Sequence, residues 1–266
     1  MQKLGLIAGN RSYPLLFAQQ AKAKGVYIVA VAFKGETSRI LKQYVDEIYW
    51  VEVGHLEELI KIFKSKNITS AVMVGQVTPT RLFRKNNLDR IAAKILSSVS
   101  QMSAETIFSR IADELENEGI SLKDARLFLE QYLAINGAIN SLQVNDLELQ
   151  GINFGKEIAK RIAGYNIGQT IVVKNKTVLA VEAIEGTDNT IRRGGKIGRG
   201  NVIVVKVSKP NQDMRFDVPV IGPKTVKVLK RAGGGVLALE SGQVLILEKE
   251  KTIKLADKYG IKIVGI

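Results

Sequence analysis

Cysteine is absent from this chain of 266 residues. Its absence excludes disulfides, thiolate metal sites and a thiol nucleophile together. Histidine is nearly absent as well, with His55 alone, so no zinc site can be assembled from imidazole and thiolate. No motif around His55 supports a Ser-His-Asp nucleophile, and a lone imidazole at a helix start reads as a surface residue. Aromatic residues make up 6% of the chain and never interleave with basic ones in a stacking pattern, which argues against a nucleic-acid partner. No apolar run approaches the roughly 20 residues that span a bilayer. The opening residues 1–9 form a short strand pattern, without the charged and long apolar regions of a signal peptide. The expected compartment is the cytoplasm.

Positive charge, by contrast, is plentiful: 39 Lys and Arg against 26 Asp and Glu give a formal charge of +13. An anionic membrane face and a polyphosphate substrate are the partners such a surplus fits, alongside nucleic acid. The basic residues are scattered through most helices, so a solvated, soluble surface accounts for them equally well. A hydrophobic fraction of 45% and this length fit a globular chain of two domains.

Stretches Lys3–Ala8, Val26–Phe33, Glu47–Val53 and Ser70–Val77 read as strands of nearly continuous apolar residues. Between and after them, Pro14–Lys24, Thr37–Tyr44, His55–Lys66, Leu82–Ser100 and Ala104–Gly119 read as helices, the last with Ser103 as N-cap. Apolar strands alternating with helices predict a parallel sheet covered on both faces, and so a Rossmann-like domain over 1–135. Poorer periodicity, with turn pairs Asn136-Gly137 and Asn145-Asp146, places a linker at 136–150. The remainder, 151–266, mixes a helix at Phe154–Ala163 with strands Thr170–Lys174 and Val178–Ala183 joined by an Asn175-Lys176 turn. Strand Asn201–Ser208 and helix Lys224–Ala232 follow. A hairpin of Gly235–Glu240 and Val244–Glu248 about Ser241-Gly242, helix Lys249–Tyr259 and strand Ile261–Ile266 complete it. The expected fold class is α/β: an N-terminal Rossmann-like parallel-sheet domain plus a C-terminal α+β domain of its own fold.

Three stretches carry chemistry. The first strand runs into Gly9-Asn10 before a helix, and the fourth ends in Gly75-Gln76. Open α/β sheets bind ligands beyond the carboxyl ends of their strands, so this edge is either a mononucleotide phosphate site or a structural turn. The spacing Gly5-x-x-x-Gly9 does not match the dinucleotide fingerprint, which disfavours a nicotinamide cofactor. Further on, Glu182, Glu185, Gly186, Thr187 and Asp188 precede Arg192 and Arg193. Carboxylates and hydroxyls of this kind suit magnesium bridging phosphate oxygens, and the arginines suit phosphate. A Thr187-Asp188 cap on a short helix is an equal reading. Residues 194–200, rich in glycine, read as a mobile loop. The third stretch, Arg215-Phe216-Asp217-Val218-Pro219, sets a carboxylate among apolar residues, where it needs Arg215, a backbone amide, a metal or a substrate as partner.

In chain order, Ile167-Gly168-Gln169, Glu182-Ala183-Ile184-Glu185-Gly186-Thr187-Asp188 and Arg215-Phe216-Asp217-Val218-Pro219-Val220-Ile221-Gly222 resemble the bacterial UDP-2,3-diacylglucosamine pyrophosphatases of the LpxI type. Leu4-Gly5-Leu6-Ile7-Ala8-Gly9, Gly75-Gln76-Val77 and residues 227–233 are similar to that family too, so the resemblance spans nearly the whole chain. It implies a magnesium-dependent hydrolase acting on a phosphoric anhydride in lipid A biosynthesis. The substrate would be UDP-2,3-diacylglucosamine, and the products UMP and 2,3-diacylglucosamine 1-phosphate (lipid X), with water attacking the sugar-side phosphorus. It also implies a homodimer, and the anionic inner-membrane face as a peripheral partner.

By its Arg-x-Asp-x-Pro setting Asp217 matches the family's catalytic aspartate, as general base or magnesium ligand, and Thr187 and Asp188 match a polar site turn. Asp188 and Glu182 are then expected beside Asp217 at the metal. Gly9, Asn10, Gly75, Gln76, Gln169, Gly186, Thr187, Asp188, Arg192 and Arg215 are expected at the substrate. Departures from the family pattern fall at Asn10, at Gln76 and at Ser103-Ala104-Glu105. The alternative is a nucleotide-sugar-binding or NAD(P)-type Rossmann protein without hydrolase activity.

Overall fold

The computed structural model describes residues 2–77, 88–99 and 104–266. The chain divides into two compact units, Met1–Leu129 with Met214–Asp217, and Glu130–Asp213 with Val218–Ile266.

In the first unit β1 (Lys3–Ala8), β2 (Tyr27–Phe33), β3 (Glu47–Val51), β4 (Ser70–Val74) and β5 (Ser121–Leu122) form one sheet in the order 3-2-1-4-5. Every pairing in it is parallel. The uninterrupted apolar character of β1 and β2 is explained by this placement, since both strands are central and buried on both faces. Helix α1 (Tyr13–Ala23) opens with a proline in its first turn and buries Phe17, Ala18 and Ala21. Helix α2 (Leu56–Ser65) buries Leu56, Leu59, Ile60 and Phe63, a single stripe at helical spacing. Its Glu57 and Glu58 sit in the first turn, where the helix dipole favours negative charge. Burial of a side chain such as Phe63 contributes roughly 1.5–3 kcal/mol.

Strand β4 stops at Val74, short of the expected Val77, because Gly75 takes φ +90° and turns the chain. The expected helix at Thr37–Tyr44 is a 3-10 turn, Arg39–Gln43, capped by the Ser38 side chain. Thr37 is diverted from it: its hydroxyl donates to the Ala8 carbonyl at 2.5 Å and accepts from the Phe33 amide at 2.9 Å. Of the helix expected over Leu82–Ser100, the described part is α3 (Arg90–Ser98), capped by Asp89. Residues 78–87, Ser100 and the expected cap Ser103 lie outside the described residues. Helix α4 (Ala104–Asn117) completes the covering of the sheet.

The second unit holds a six-stranded mixed sheet, ordered β6-β13-β11-β9-β7-β8, from β6 (Gly137–Ala138), β7 (Thr170–Lys174), β8 (Thr177–Val181), β9 (Val202–Lys206), β11 (Gly234–Leu239) and β13 (Lys262–Gly265). Helix α5 (Asp146–Gly164) lies on one face against Ile203 and Val205. On the other face α6 (Thr187–Gly198), α7 (Pro223–Arg231) and α8 (Lys249–Tyr259) cover Val202 and Val204. That alternation along β9 is the period of two a strand requires.

Several expectations needed correcting. Helix α5 begins eight residues before the expected Phe154, because Asn145 and Glu148 form a reciprocal capping box. Gly137 and Ala138 pair with β13. Within the segment expected as linker over 136–150, Gly137–Ala138 is thus a strand and residues 146–150 open α5. The expected hairpin about Ser241-Gly242 does not form. Instead β11 runs parallel to β9 and β13, and β12 (Leu245–Ile246) runs parallel to β10 (Val220–Ile221). The turn amides go elsewhere: Ser241 N–H donates to the Ile266 carbonyl and Gly242 N–H to that of Ala134. Most of the glycine-rich 194–200 stretch, expected as a mobile loop, is helical to Gly198, with Gly194 and Gly195 packed where a Cβ would meet Val172 and Ala232 at 2.5 and 2.4 Å.

Candidate active site

A 3-2-1-4-5 sheet has its topological switch point between β1 and β4, and there the first unit brings Gly9, Asn10, Gly75 and Gln76 together. Asn10 N–H donates to the Gln76 carbonyl at 2.7 Å, and Gly9 N–H to that of Val74 at 2.8 Å. The backbones approach so closely that a Cβ on Gly9 would stand 2.5 Å from the Gln76 oxygen. The Asn10 side chain donates to Glu36 at 2.6 Å, while its own Oδ1 is buried without a hydrogen-bond partner. The N-terminus of α1 follows at once, and Ser12 makes no side-chain cap on it. Backbone amides, a helix dipole and a carboxamide at one strand edge can recognise phosphate and nucleoside hydroxyls.

The second unit gathers its polar residues around the start of α6. Gly168 lies against Glu182, where a Cβ would stand 2.0 Å from the Glu182 carbonyl oxygen, so only glycine fits the Ile167-Gly168-Gln169 motif. Glu182 N–H donates to the Thr170 carbonyl at 2.8 Å, and the Gln169 carbonyl accepts from Val207 N–H at 2.9 Å. The Glu182 side chain is buried and accepts the Thr187 hydroxyl at 2.7 Å. Gly186, at φ +77°, precedes Thr187, the first residue of α6. Asp188 pairs with Lys224 at 2.7 Å. Arg192 is exposed on the next turn and donates to Asn189 at 2.6 Å. Glu185 accepts from Ala183 N–H and from Arg193, and hydrogen bonding from Arg193 above all holds its carboxyl below the ordinary range. Gly168→Ala is expected to destabilise the fold by about 1–3 kcal/mol, read as a lowered urea midpoint; an unchanged midpoint would refute the tight approach.

Two residues at this site escaped the sequence reading. Lys206, 6% exposed, donates to the hydroxyls of Thr187 at 3.0 Å and Thr170 at 3.2 Å. The available signal was a single lysine closing an otherwise apolar strand, Val202–Lys206. Near the same strand end, Glu240 accepts from Ser208 N–H, the Ser208 hydroxyl and Lys160. Burial alone would raise the Glu240 carboxyl, but these hydrogen bonds from Lys160 and Ser208 hold it below its ordinary value.

Asp217 belongs to the first unit, with Met214, Arg215 and Phe216. The Met214 carbonyl accepts from Ala125 N–H at 2.8 Å. The Phe216 ring packs on Phe108 with centroids 6.0 Å apart and joins the apolar cluster of that unit. Asp217 follows this anchor and is half-buried, and Pro219, two residues on, is buried.

Among the described residues no three Asp, Glu or His side chains form a group that could hold a metal ion. Of the expected magnesium set, Glu182 answers Thr187 and faces Lys206, and Asp188 answers Lys224. Those two carboxylates do not fit as a magnesium cage within the second unit, and Asp217 belongs to the first.

Together, a Rossmann-like parallel sheet and a second mixed-sheet domain with a polar helix start define a two-domain α/β protein. Residues 3–132 match the LpxI N-terminal domain and residues 135–264 the LpxI C-terminal domain. The chain belongs to the LpxI family. It is 27% identical over 277 residues to the UDP-2,3-diacylglucosamine pyrophosphatase LpxI of Caulobacter vibrioides, an alignment covering 100% of this chain and 98% of the relative. Among solved structures, phosphoribosylglycinamide synthetase from Anaerococcus prevotii gives a TM-score of 0.28 at 15% identity, over 71% of this chain and 34% of that one. The biotin carboxylase domain of the Hydrogenobacter thermophilus 2-oxoglutarate carboxylase gives 0.30 at 15%, over 79% and 44%. The chain spans less than half of either solved structure, and likenesses of this size carry no functional argument.

Proposed function

We propose that the chain hydrolyses the pyrophosphate bond of UDP-2,3-diacylglucosamine to UMP and lipid X, a step of lipid A biosynthesis. The observation that carries this reading is the match of both LpxI domains, in order, over 3–132 and 135–264. The named Caulobacter relative, aligned along nearly its full length, supports it.

The uridine nucleotide is assigned to the switch-point edge, with Gly9, Asn10, Gly75 and Gln76 lining its phosphates and ribose. Gln169, Gly186, Thr187 and Asp188 are assigned to the rest of the substrate, and Arg192 and Arg215 to phosphate charge. Asp217 orients the attacking water and accepts its proton. The water oxygen bonds to the sugar-side phosphorus as the bridging P–O bond breaks, and the electron pair leaves on UMP. Such a displacement depends on positioning and charge neutralisation more than on covalent catalysis. Magnesium, when bound, would be held by Asp217 and would supply part of that neutralisation.

Incubation with UDP-2,3-diacylglucosamine in 18O-water is expected to release UMP and to place the label in lipid X. Label in UMP would refute attack at the sugar-side phosphorus, and no UMP at all would sink the assignment. Chelation by EDTA is expected to stop the reaction and added magnesium to restore it; full activity in EDTA removes the metal from the scheme. A homodimer in the cytoplasm, peripheral on the anionic inner membrane, belongs to the same reading. The anionic-membrane part of it is supported by the charge of +13; no helix among the described residues is long and apolar enough to cross a membrane.

A further inference from the structure

Lys206 closes β9 after four buried apolar residues, 202–205. Another apolar residue would pack there without the desolvation penalty that a buried ammonium carries. Its hydrogen-bond partners are hydroxyls, those of Thr187 at 3.0 Å and Thr170 at 3.2 Å. Its counter-charge, Glu182 Oε2, stands 4.0 Å away, beyond hydrogen-bond reach. Glu182 is 9% exposed. Its Oε1 accepts the Thr187 hydroxyl, while Oε2 is buried with no hydrogen-bond partner. Thr187 thus donates to the carboxylate and accepts from the ammonium, which fixes its hydroxyl in one orientation at the first residue of α6.

We propose that Lys206 is a positioning residue of this site, and that Glu182 is its buried counter-ion and not a metal ligand. A divalent cation on Glu182 Oε2 would face the Lys206 ammonium across a similar short separation, and like charges so close in a water-poor interior repel strongly. With the Thr187 hydroxyl committed on both sides, the start of α6 meets a ligand with its backbone amides, and the buried pair sets where they point. The catalytic consequence rests on the diphosphate-hydrolase reading; the network itself rests on the geometry alone.

The lysine ammonium spectrum of the 15N-labelled full chain tests the network. A buried, hydrogen-bonded ammonium exchanges slowly with water, so one protected resonance is expected to vanish in Lys206→Met and to move in Thr187→Val. A spectrum with no such resonance, or with one that Thr187→Val leaves in place, overturns the network. In turnover of UDP-2,3-diacylglucosamine, Lys206→Met is expected to lower kcat/KM by about tenfold or more, chiefly through kcat. The double variant Lys206→Met/Glu182→Gln is expected to be no worse, since a neutral glutamine needs no counter-ion. Wild-type kcat/KM in Lys206→Met rejects the positioning role. Glu182→Gln is expected to keep its half-saturating magnesium concentration within about twofold of wild type, whereas a rise of about tenfold would make Glu182 a ligand after all. The spectrum needs no turnover. A wild-type chain that releases no UMP therefore defeats the functional reading alone and leaves the network to be judged on its resonance.

Discussion

Asparagine in place of Asp217 is expected to slow UMP release by about two to four orders of magnitude, the range general-base catalysis commonly spans. The two side chains have nearly the same shape, but a carboxamide cannot take the proton of an attacking water. Folding should survive the exchange. Phe216, packed on Phe108, and the Met214 carbonyl bonded to Ala125 N–H both anchor this stretch. The loss should appear in kcat, with KM for UDP-2,3-diacylglucosamine little changed, and the thermal midpoint is measured beside it. Turnover at the wild-type rate would remove Asp217 from the chemistry. A collapse in stability instead would make it a structural residue.

Much of the regular structure was legible where the sequence signal is strong. Strand Lys3–Ala8 and helix α8, Lys249–Tyr259, fall where periodicity places them, and the glycines at the ends of β1 and β4 mark the edge that the strand order turns into a switch point. Asn175 and Lys176 do form the expected turn between β7 and β8, both at positive φ, which suits a tight hairpin. One misreading arises because pairing partners are distant in sequence. Ser241-Gly242 looks like a hairpin turn locally, yet its amides bond to Ile266 and Ala134. Gly194, Gly195 and Gly198 look like a loop because glycine is a poor helix former. In the fold they are what lets α6 press against Val172, Ala232 and Leu179.

The candidate site was legible to the same degree. Motif glycines and acids could be named, since Gly168 and Glu182 stand out in their stretches. Their partners could not. Lys206 is 24 residues from Glu182 in the chain by its numbering, and only the antiparallel pairing of β7 with β9 sets Thr170 opposite Lys206. A sequence can place a carboxylate, but whether it is answered by a lysine or left for a metal depends on that register. Glu182 and Asp188 therefore read as magnesium ligands in one dimension and as ion-pair partners in three.

The other large effect is expected at Gly9. A methyl group there would stand 2.5 Å from the Gln76 carbonyl oxygen and 2.8 Å from the Gly75 carbonyl carbon. Both are backbone atoms, so no side chain can swing aside. Gly75 itself holds φ +90°, and a Cβ on it would meet the Asn10 oxygen at 2.7 Å, so the strain has no outlet on that side either. Gly9→Ala should consequently force β1 and β4 apart at their carboxyl ends, costing about 2–4 kcal/mol of stability. The hydrogen bond from Asn10 N–H to Gln76 would lengthen with them. Because that edge is assigned to the nucleotide, UMP affinity should fall by about tenfold or more, an amount equivalent to about 1.4 kcal/mol. Gly235→Ala is the control, since nothing lies within 4 Å of a Cβ there, and it should leave UMP binding untouched. Calorimetric titration with UMP, run beside urea unfolding of each variant, separates the two consequences. Gly9→Ala with a lowered midpoint and wild-type UMP affinity would keep the steric argument and move the nucleotide away from the switch point.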